Sequence, residues 1–504
     1  MKALDPGVQV ARGASILFTQ NLAVLVIGLV YFVFLARLLP PYEMGVLTVL
    51  LLILYLIEMV GDLGLSNASS KYIPDLMGKG DIDGASSVYR KILGTNMLFG
   101  FSLSALCFIM APWLSLALTQ TLEYVVLFRV LSLSVLTGLI SLAAFGFVQG
   151  IQHWREYAGI SIVHFTIRRF LGLYLVFIGL GLIGIVYGWI LGDILGIFLS
   201  LLVVDRRLKS TVSASFPLPK LLAFSIPILG YNLLRYAVQW VDRVFVMGYM
   251  SLFDLGIYQI AIYALTVLGI IPLSIFTVLY PQLSELYAKR GIQALDKIFK
   301  SVTRYTILIF TPIVFAVITL HRPIIALFAG LRYIEASIPL AIMCVGALAW
   351  GLALIINSFL MTLEQTKAVF GVMSTSFVLY LMASLLLVPN LGLIGAATVR
   401  GSLPFAMLFL GFYALRKHMT TEFDREACWK GFTASVIASV VIVLLKQATP
   451  SYVLLVAYGV IGAIAYVGML VVLKSIHHYD VDFLENFAPK STKQLVRYAR
   501  KLVW

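Results

Sequence analysis

Apolar runs of about 20 residues recur along this 504-residue chain, and each is long enough to cross the hydrocarbon of a bilayer as a helix. Residues 97–111, which lie within one of these runs, and residues 451–473 are continuous apolar segments. Inside a bilayer, backbone polar groups must pair within the chain, which favours helices or a closed barrel. The strands of a barrel would alternate polar and apolar residues, whereas these runs are continuous. Because 61% of the residues are hydrophobic, the sequence predicts an all-α polytopic membrane protein.

The apolar runs predict about 14 transmembrane helices. We place these spans, numbered 1 to 14, at residues 13–38, 43–66, 90–118, 122–149, 157–179, 182–204, 220–248, 254–284, 301–320, 335–362, 367–388, 391–416, 428–447 and 451–474. The connecting loops are short, and none carries a DxD, His-Asp or nucleophile pattern. We therefore predict a transporter without catalytic residues, rather than an enzyme.

The net charge of +14 would suggest a nucleic-acid partner in a soluble protein. Its placement indicates a membrane protein instead. If the N-terminus is inside, most of the 37 Lys and Arg residues fall in the inner segments, and the outer loops hold few. Cytoplasmic loops collect Lys and Arg during insertion. We therefore predict a multi-pass protein of the plasma (inner) membrane, with cytoplasmic N- and C-termini and no nucleic-acid partner.

A repeated motif indicates internal duplication. LGLIG occurs at 180–184 and again at 391–395, an offset of 211 residues. At the same offset, Asn-Leu, acid-x-Gly and base-Gly pairs also match. These are Asn21-Leu22 with Asn232-Leu233, Glu43-Met-Gly45 with Asp254-Leu-Gly256, and Lys79-Gly80 with Arg290-Gly291. The offset carries span 1 onto span 7, so each copy contains six spans. Because an even number of crossings returns the chain to the same side of the membrane, both copies face the same way, as in parallel transporter repeats.

The duplication predicts the domain organisation. It consists of two parallel six-helix lobes, which we expect to enclose a central cavity, followed by two C-terminal helices. The predicted parts are the N-lobe at 1–205, a cytoplasmic linker at 206–218, the C-lobe at 219–418, spans 13 and 14 at 419–475, and a basic tail at 476–504. The tail ends in STKQLVRYARKLVW, which predicts a basic amphipathic helix on anionic inner-leaflet lipid.

Charged residues inside the spans are the candidate functional residues, because an ionised side chain at the bilayer centre costs at least about 2.5–3.5 kcal/mol. They are Glu58, Asp62, Arg129, Arg168, Arg169, Asp193, Arg235, Asp242, Arg243 and Arg400. Arg169 and Asp193 lie at equal distances from the turn near Gly181, so both are expected near the midplane. We predict a structural ion pair between them.

Polar residues on spans 5, 7 and 12 predict a site for an anionic cargo. Asn232, Arg235, Gln239 and Asp242 share one face of span 7, and His164 and Arg168 lie one turn apart in span 5. Arg168, Arg235 and Arg400 have no obvious local acid at matching depth. Arginine suits phosphate oxygens and stays charged when partly desolvated. The predicted substrate-binding residues are Arg168, Arg235, Arg400, His164, Asn232 and Gln239.

Glu58 and Asp62 share a face of span 2, and two hypotheses stay open for them. They bind a coupling H⁺ or Na⁺, or Asp62 reaches the aqueous interface and neither has a role in transport. No other cofactor is predicted. The three cysteines are scattered and the six histidines show no HExxH pattern, so the sequence predicts no metal site.

Six stretches resemble a known family in their order and spacing. They are LARLLPPYEMGVLT, GDLGLSNASSKYIP, FDLGIYQIAI, LYPQLSEL, RYIEASIPL and LVPNLGLIGAA. They are similar to blocks of the polysaccharide flippase (Wzx-type) branch of the multidrug/oligosaccharidyl-lipid/polysaccharide (MOP) exporter superfamily, over residues 12–416. The resemblance implies a flippase that moves an isoprenoid-pyrophosphate-linked oligosaccharide from the inner to the outer leaflet by alternating access. Its implied partners are a polymerase or glycosyltransferases.

Two other members of the superfamily are alternatives. Multidrug exporters take organic cations and favour acidic, aromatic cavities, which fits poorly with the excess of arginine inside the spans. Peptidoglycan lipid-precursor flippases also have basic cavities, with an arginine cluster in span 1. Here span 1 has only Arg12 and Arg37, near its ends. A scaffold that transports nothing would gain nothing from costly charges at the midplane.

Overall fold

The computed structural model describes residues 6–207, 216–449 and 451–475, and every regular element in these ranges is helical. The predicted basic tail and the centre of the predicted linker lie outside these ranges. The helices of the first half are α1 (Pro6–Leu38), α2 (Pro41–Asp62), α3 (Leu65–Gly78), α4 (Ile82–Thr119), α5 (Val125–Gly150), α6 (Trp154–Leu175), a π-helical turn (Val176–Leu180) and α7 (Gly181–Arg207).

The second half continues the same pattern. Its helices are α8 (Leu218–Tyr249), α9 (Leu252–Leu268), α10 (Ile270–Arg290), α11 (Ile292–Thr319), α12 (His321–Phe328), a 3-10 turn (Leu331–Ala336), α13 (Ser337–Val345), α14 (Ala347–Thr362), α15 (Thr366–Leu415), α16 (Arg425–Ala448), a 3-10 turn (Tyr452–Leu454) and α17 (Leu455–Val472). The predicted all-α membrane fold is confirmed.

Ten stretches of the described chain are long and apolar enough to cross a membrane, or up to twelve if each of two bent helix pairs counts as one span. The number fourteen stays a prediction. Two of the ten stretches, Trp154–Val204 and Thr366–Leu415, contain 51 and 50 residues. One crossing needs about 20 residues, so each stretch exceeds the length of two crossings.

The LGLIG motif lies at the break in each of these long stretches. Its first glycine is Gly181 in one copy (φ 55°, ψ −146°) and Gly392 in the other (φ 56°, ψ −134°). Side chains are almost never tolerated in this region of backbone conformation, so glycine is required there. The two copies share both the letters and the conformation, which explains why this motif survives in a duplicated chain.

A second pair of repeat-related segments makes a reciprocal backbone contact. Gly45 in α2 packs against the carbonyl oxygen of Leu252, and Gly256 in α9 packs against that of Pro41. A Cβ atom at Gly45 or Gly256 would lie 1.8 Å or 1.9 Å from these oxygens. The offset of 211 residues exchanges the two halves of this contact. Such mutual exchange is the mark of a two-fold relation between the contacting segments.

Bends and surface helices are the main features that the hydropathy pattern does not predict. Span 8 is divided into α9 and α10, which meet at an angle of 43°, and span 10 is divided into α13 and α14, at 40°. At the second bend, a Cβ on Gly346 would lie 2.0 Å from the carbonyl oxygen of Gly401. The short helices α3 and α12 occupy segments that we predicted as loops.

The described chain divides into two compact units. The first comprises residues up to Val241 with Ser251–Gly256, and the second comprises Asp242–Met250 with the chain from Ile257 onward. Leu65, Phe147 and Leu221 belong to a core cluster of the first unit, and Phe299 and Phe359 to one of the second. The predicted lobe boundaries stay a prediction.

Arg304 joins the C-terminal helices to α11. Its Nη1 lies 2.8 Å from Oδ2 of Asp424, and its Nη2 donates to the carbonyl of Ser475 at 2.7 Å. Asp424 also caps α16, because its Oδ1 accepts from the N–H of Ala427 at 3.0 Å. Burial alone would raise the pKa of Asp424, but these donors together hold its pKa below the ordinary value.

This lowered pKa predicts an acid-sensitive stability. A carboxylate with a depressed pKa in the folded state stabilises the fold above the unfolded pKa of about 3.9. That contribution is lost as the pH falls through the folded pKa. We expect the melting temperature of the purified protein to fall below about pH 4, and the fall to be smaller in Asp424→Asn. Identical acid profiles for the two proteins would contradict this assignment.

Candidate ion-pair and cargo site

The first unit contains a buried ionic network around Asp193 of α7. Asp193 is fully buried. Its Oδ1 lies 2.7 Å from Nη1 of Arg168 and 2.8 Å from Nε2 of His164, both on α6. Thr137 of α5 donates to Oδ2 at 3.3 Å. Three helices are therefore joined by one carboxylate, whose charge is balanced by a guanidinium.

The predicted ion pair between Arg169 and Asp193 is wrong by one residue. Asp193 pairs with Arg168, whereas Arg169 donates from Nη1 to the carbonyl of Val24 at 2.9 Å. The Arg169 guanidinium also lies over the ring of Tyr31, 5.9 Å from its centroid. Counting residues from a turn gives the depth of a side chain in the bilayer. It does not give the side of the helix, and adjacent residues of a helix point about 100° apart.

The second unit contains a comparable network around Asp242 of α8, which is also fully buried. Tyr258 of α9 donates its hydroxyl to Oδ2 at 2.8 Å, and Nη1 of Arg400 on α15 lies 3.5 Å from the same oxygen. The expectation that Arg168 and Arg400 lack a matching acid is therefore wrong for both. Each compensates a buried carboxylate on a neighbouring helix.

The repeat relates the network around Asp242 to positions around Arg169, and not to the network around Asp193. The offset of 211 residues maps three positions of the first unit onto three of the second. They are occupied by Tyr31, Arg169 and Trp189 in the first copy and by Asp242, Tyr380 and Arg400 in the second. In the first copy the guanidinium lies over an aromatic ring, and in the second it meets a carboxylate. The two copies therefore hold different residues and different charges at these equivalent positions.

Arg235 differs from the other two predicted cargo arginines. Its side chain is exposed, and no carboxylate pairs with it within the described part of the chain. Gln239 is exposed one turn further along α8, and Asn232 is half-buried. Tyr231 is 42% exposed one turn before Arg235. We refer to Tyr231, Arg235 and Gln239 as the α8 ridge, since a spacing of four places them on one side of the helix.

Tyr231 is the member of this ridge that our sequence analysis missed. The predicted face of span 7 is defined by its polar residues, and an aromatic side chain in an apolar span does not stand out from its neighbours. The spacing of four from Arg235 could have revealed it. The ridge therefore combines a cation, an amide and an aromatic ring on one accessible face.

Glu58 and Asp62 of α2 are both buried, with 8% and 6% of their surface exposed. Asp62 accepts hydrogen bonds from Ser66 and from Nδ2 of Asn96. Oε1 of Glu58 is buried and has no hydrogen-bond partner among the described residues. The two carboxyl groups therefore have different environments, although they lie one turn apart. The described ranges contain no cluster of three metal-ligating side chains.

Comparison with known sequences decides the family. The model of the family described as "Polysaccharide biosynthesis protein" matches residues 34–338, which is more than half of the chain. The chain belongs to this family. A comparison with curated protein sequences finds no match.

Solved structures place this polysaccharide biosynthesis protein in the fold of MOP transporters. The lipid II flippase MurJ, in its inward closed conformation, matches with a TM-score of 0.76 and 17% identity, over 91% of this chain and 99% of MurJ. An inward-facing MATE family multidrug resistance transporter matches with a TM-score of 0.63 and 15% identity, over 79% and 96% of the two chains. A MOP superfamily transporter from Pyrococcus furiosus matches with a TM-score of 0.52 and 14% identity, over 86% and 94%.

These comparisons agree with the predicted recognition of a flippase-type MOP member. They also agree with a transporter rather than an enzyme and with a multi-pass membrane protein. At these identities the structural matches establish the fold alone. The family and the fold together indicate a membrane transporter of the polysaccharide biosynthesis family.

Proposed function

We propose that this protein is a flippase that moves an isoprenoid-pyrophosphate-linked oligosaccharide from the inner to the outer leaflet. The observation that carries the proposal is Arg235, a guanidinium within a membrane helix that is accessible and has no carboxylate partner in the described chain. Such a charge is costly in an apolar medium unless an anion or water meets it. Arginine binds phosphate oxygens through paired N–H donors, which suits a pyrophosphate.

The rest of the α8 ridge suits the sugar part of such a cargo. Gln239 and the neighbouring Asn232 offer amide groups that donate to and accept from sugar hydroxyls. The face of Tyr231 can pack against the apolar C–H face of a sugar ring. We assign Arg168 and His164 to the buried network of the first unit and Arg400 to that of the second, rather than to the cargo. The central cavity expected between the two lobes stays a prediction.

The fold is consistent with a lipid-linked cargo, since MurJ is named as a flippase of lipid II. A peptidoglycan precursor is therefore the nearest alternative, and it would bring its own pyrophosphate to Arg235. An organic cation is disfavoured, because the exposed guanidinium of Arg235 would repel it. In the proposed setting the protein lies in the plasma (inner) membrane with its termini in the cytoplasm, and glycosyltransferases and a polymerase act before and after it.

Arg235→Ala tests this proposal in cells that depend on the protein for surface glycan. Hydrogen bonds to charged groups contribute about 1.5–3 kcal/mol, so we expect export to fall by about 10- to 100-fold. The protein level in the membrane should not change, because Arg235 compensates no buried carboxylate among the described residues. The matched control is Arg129→Ala, another exposed arginine of a membrane helix, which lies over the ring of Phe108. We expect that variant to export normally.

The outcomes separate the alternatives. Normal glycan in Arg235→Ala would remove this residue from the cargo site. Loss of peptidoglycan synthesis with normal surface glycan would favour the lipid-precursor alternative. Equal loss of export in Arg129→Ala would show that any change of charge in these helices disturbs the protein, and would contradict a specific role for the ridge.

A further inference from the structure

We propose that Glu58 is a proton-binding site that couples proton movement to the transport cycle, and that Asp62 is a structural residue. Only the link to transport rests on the proposed function. Both residues lie on α2 and both are buried, so burial does not distinguish them. Their hydrogen bonds do.

The carboxylate of Asp62 is surrounded by donors. The backbone N–H of Ser66 lies 3.2 Å from Oδ2, the hydroxyl of Ser66 lies 2.5 Å from Oδ1, and Nδ2 of Asn96 lies 2.9 Å from Oδ1. Donors of this kind stabilise the ionised carboxylate. Ser66 lies in the first turn of α3, and Asn96 lies on α4. Asp62 therefore joins three helices through the hydrogen bonds of its carboxyl group, which is a structural role.

Glu58 has the opposite environment. Its Oε1 has no hydrogen-bond partner among the described residues, and its carboxyl lies against Gly138 of α5. A Cβ at Gly138 would fall 2.0 Å from Oε1, so the carboxyl packs directly against this glycine and would have to move if a side chain were present there. Burying an ionised carboxylate without donors is costly by several kcal/mol, whereas the neutral acid costs far less. In this conformation the carboxyl of Glu58 therefore holds a proton.

The groups around Glu58 favour a proton over a metal cation at this carboxyl. The charges that reach it are those of Arg168 on α6 and Asp193 on α7, and the phenol of Tyr55 lies near it on α2 itself. The contact from α5 is the uncharged Gly138, and Asn96 of α4 contacts Asp62 instead. A metal cation such as Na⁺ would meet a guanidinium and a glycine rather than a shell of oxygen ligands. A proton fits this environment, and Na⁺ does not.

Loss of the proton would change the network in the first unit. When the carboxyl of Glu58 releases its proton to water it becomes a carboxylate, and Arg168 is the cation whose charge reaches it. Arg168 is already paired with Asp193, so two carboxylates then compete for one guanidinium. His164 also contacts Asp193 and can retain it when Arg168 shifts. The α6–α7 pair thus has two arrangements, and the proton on Glu58 selects between them.

Infrared spectroscopy of the purified protein in detergent, without any cargo, tests the proton site. A buried protonated carboxyl has a C=O stretching band that is separate from those of ionised carboxylates and that shifts in D₂O. We expect wild type to show such a band at neutral pH, Glu58→Gln to lack it, and Asp62→Asn to keep it. Persistence of the band in Glu58→Gln, or its loss in Asp62→Asn, would overturn the assignment.

A second pair of measurements keeps the coupling testable. If Glu58→Gln does not fold, Glu58→Asp keeps the carboxyl one methylene closer to the helix, and its band should shift in frequency rather than persist unchanged. In cells, we expect Glu58→Gln to lose surface glycan export at normal membrane levels. Loss of the band with normal export would overturn the coupling. Failure of wild type to flip a lipid-linked glycan would refute the proposed function and leave the infrared result standing.

Discussion

Replacing Arg168 with Leu should destabilise the protein more than any other single substitution considered for this chain. The change leaves Asp193 as a fully buried carboxylate without its guanidinium. Breaking a buried pair by removing one partner costs about 3–5 kcal/mol, which is a large part of the stability of a typical domain. We expect little folded protein in the membrane, and a lowered melting temperature for whatever can be purified.

A double variant separates charge compensation from packing. In Arg168→Leu/Asp193→Asn the carboxylate that Arg168 compensates is also removed, so we expect stability to recover well above that of the single variant. The matched control combines Arg169→Leu with Asp193→Asn. Because Arg169 donates to Val24 rather than to Asp193, its effect should add to that of Asp193→Asn without rescue. Rescue of Arg169→Leu and none of Arg168→Leu would show that the pair had been assigned to the wrong arginine.

The second large effect is expected at the reciprocal glycine contact. In Gly45→Ala the new Cβ would lie 1.8 Å from the carbonyl oxygen of Leu252, and in Gly256→Ala it would lie 1.9 Å from that of Pro41. These obstacles are backbone atoms, so no side-chain rotation relieves them. Overpacking usually costs about 1–3 kcal/mol, and a backbone clash belongs at the upper end. We expect lowered melting temperatures of similar size in both variants.

Gly94→Ala is the matched control for this prediction. Gly94 lies in α4, and a Cβ added there meets nothing within 4 Å. Alanine in a helix interior is favoured over glycine by about 0.5–1 kcal/mol, so this variant should be as stable as wild type or more stable. The double variant Gly45→Ala/Gly256→Ala should lose less stability than the sum of the losses in the two single variants, since both changes push the same two segments apart. Equal melting temperatures for Gly45→Ala and Gly94→Ala would contradict the close approach.

Much of the fold follows from the sequence, because the hydrocarbon of the bilayer permits few alternatives to the helix. The LGLIG repeat was predicted to mark a duplication, and Gly181 and Gly392 adopt the same conformation. The surface helix α3 was missed, since Leu65 and Ile73 bury only one side of it and its hydropathy is diluted by polar neighbours. The bend between α13 and α14 was missed because it depends on the contact of Gly346 with Gly401.

Less of the candidate site than of the fold could be predicted from the sequence. The hydropathy pattern predicts that Arg168, Asp193 and Arg400 lie within spans. It does not predict which face of each helix packs against a neighbouring helix. His164 and Arg168 share a face of α6, and this spacing could have favoured Arg168 over Arg169 as the partner of one acid. The pairing of Arg400 with Asp242 depends on how α15 packs beside α8. No local pattern in the sequence encodes that packing.

We propose above all that this polysaccharide biosynthesis protein carries a lipid-linked oligosaccharide across the bilayer. The most direct measurement is the amount of that lipid in each leaflet of cells from which the gene is deleted, with and without a plasmid copy. The account predicts that the glycan lipid accumulates in the inner leaflet of the deletion strain, that wild type restores it to the outer leaflet, and that Arg235→Ala does not. An unchanged leaflet distribution in the deletion strain would contradict the claim.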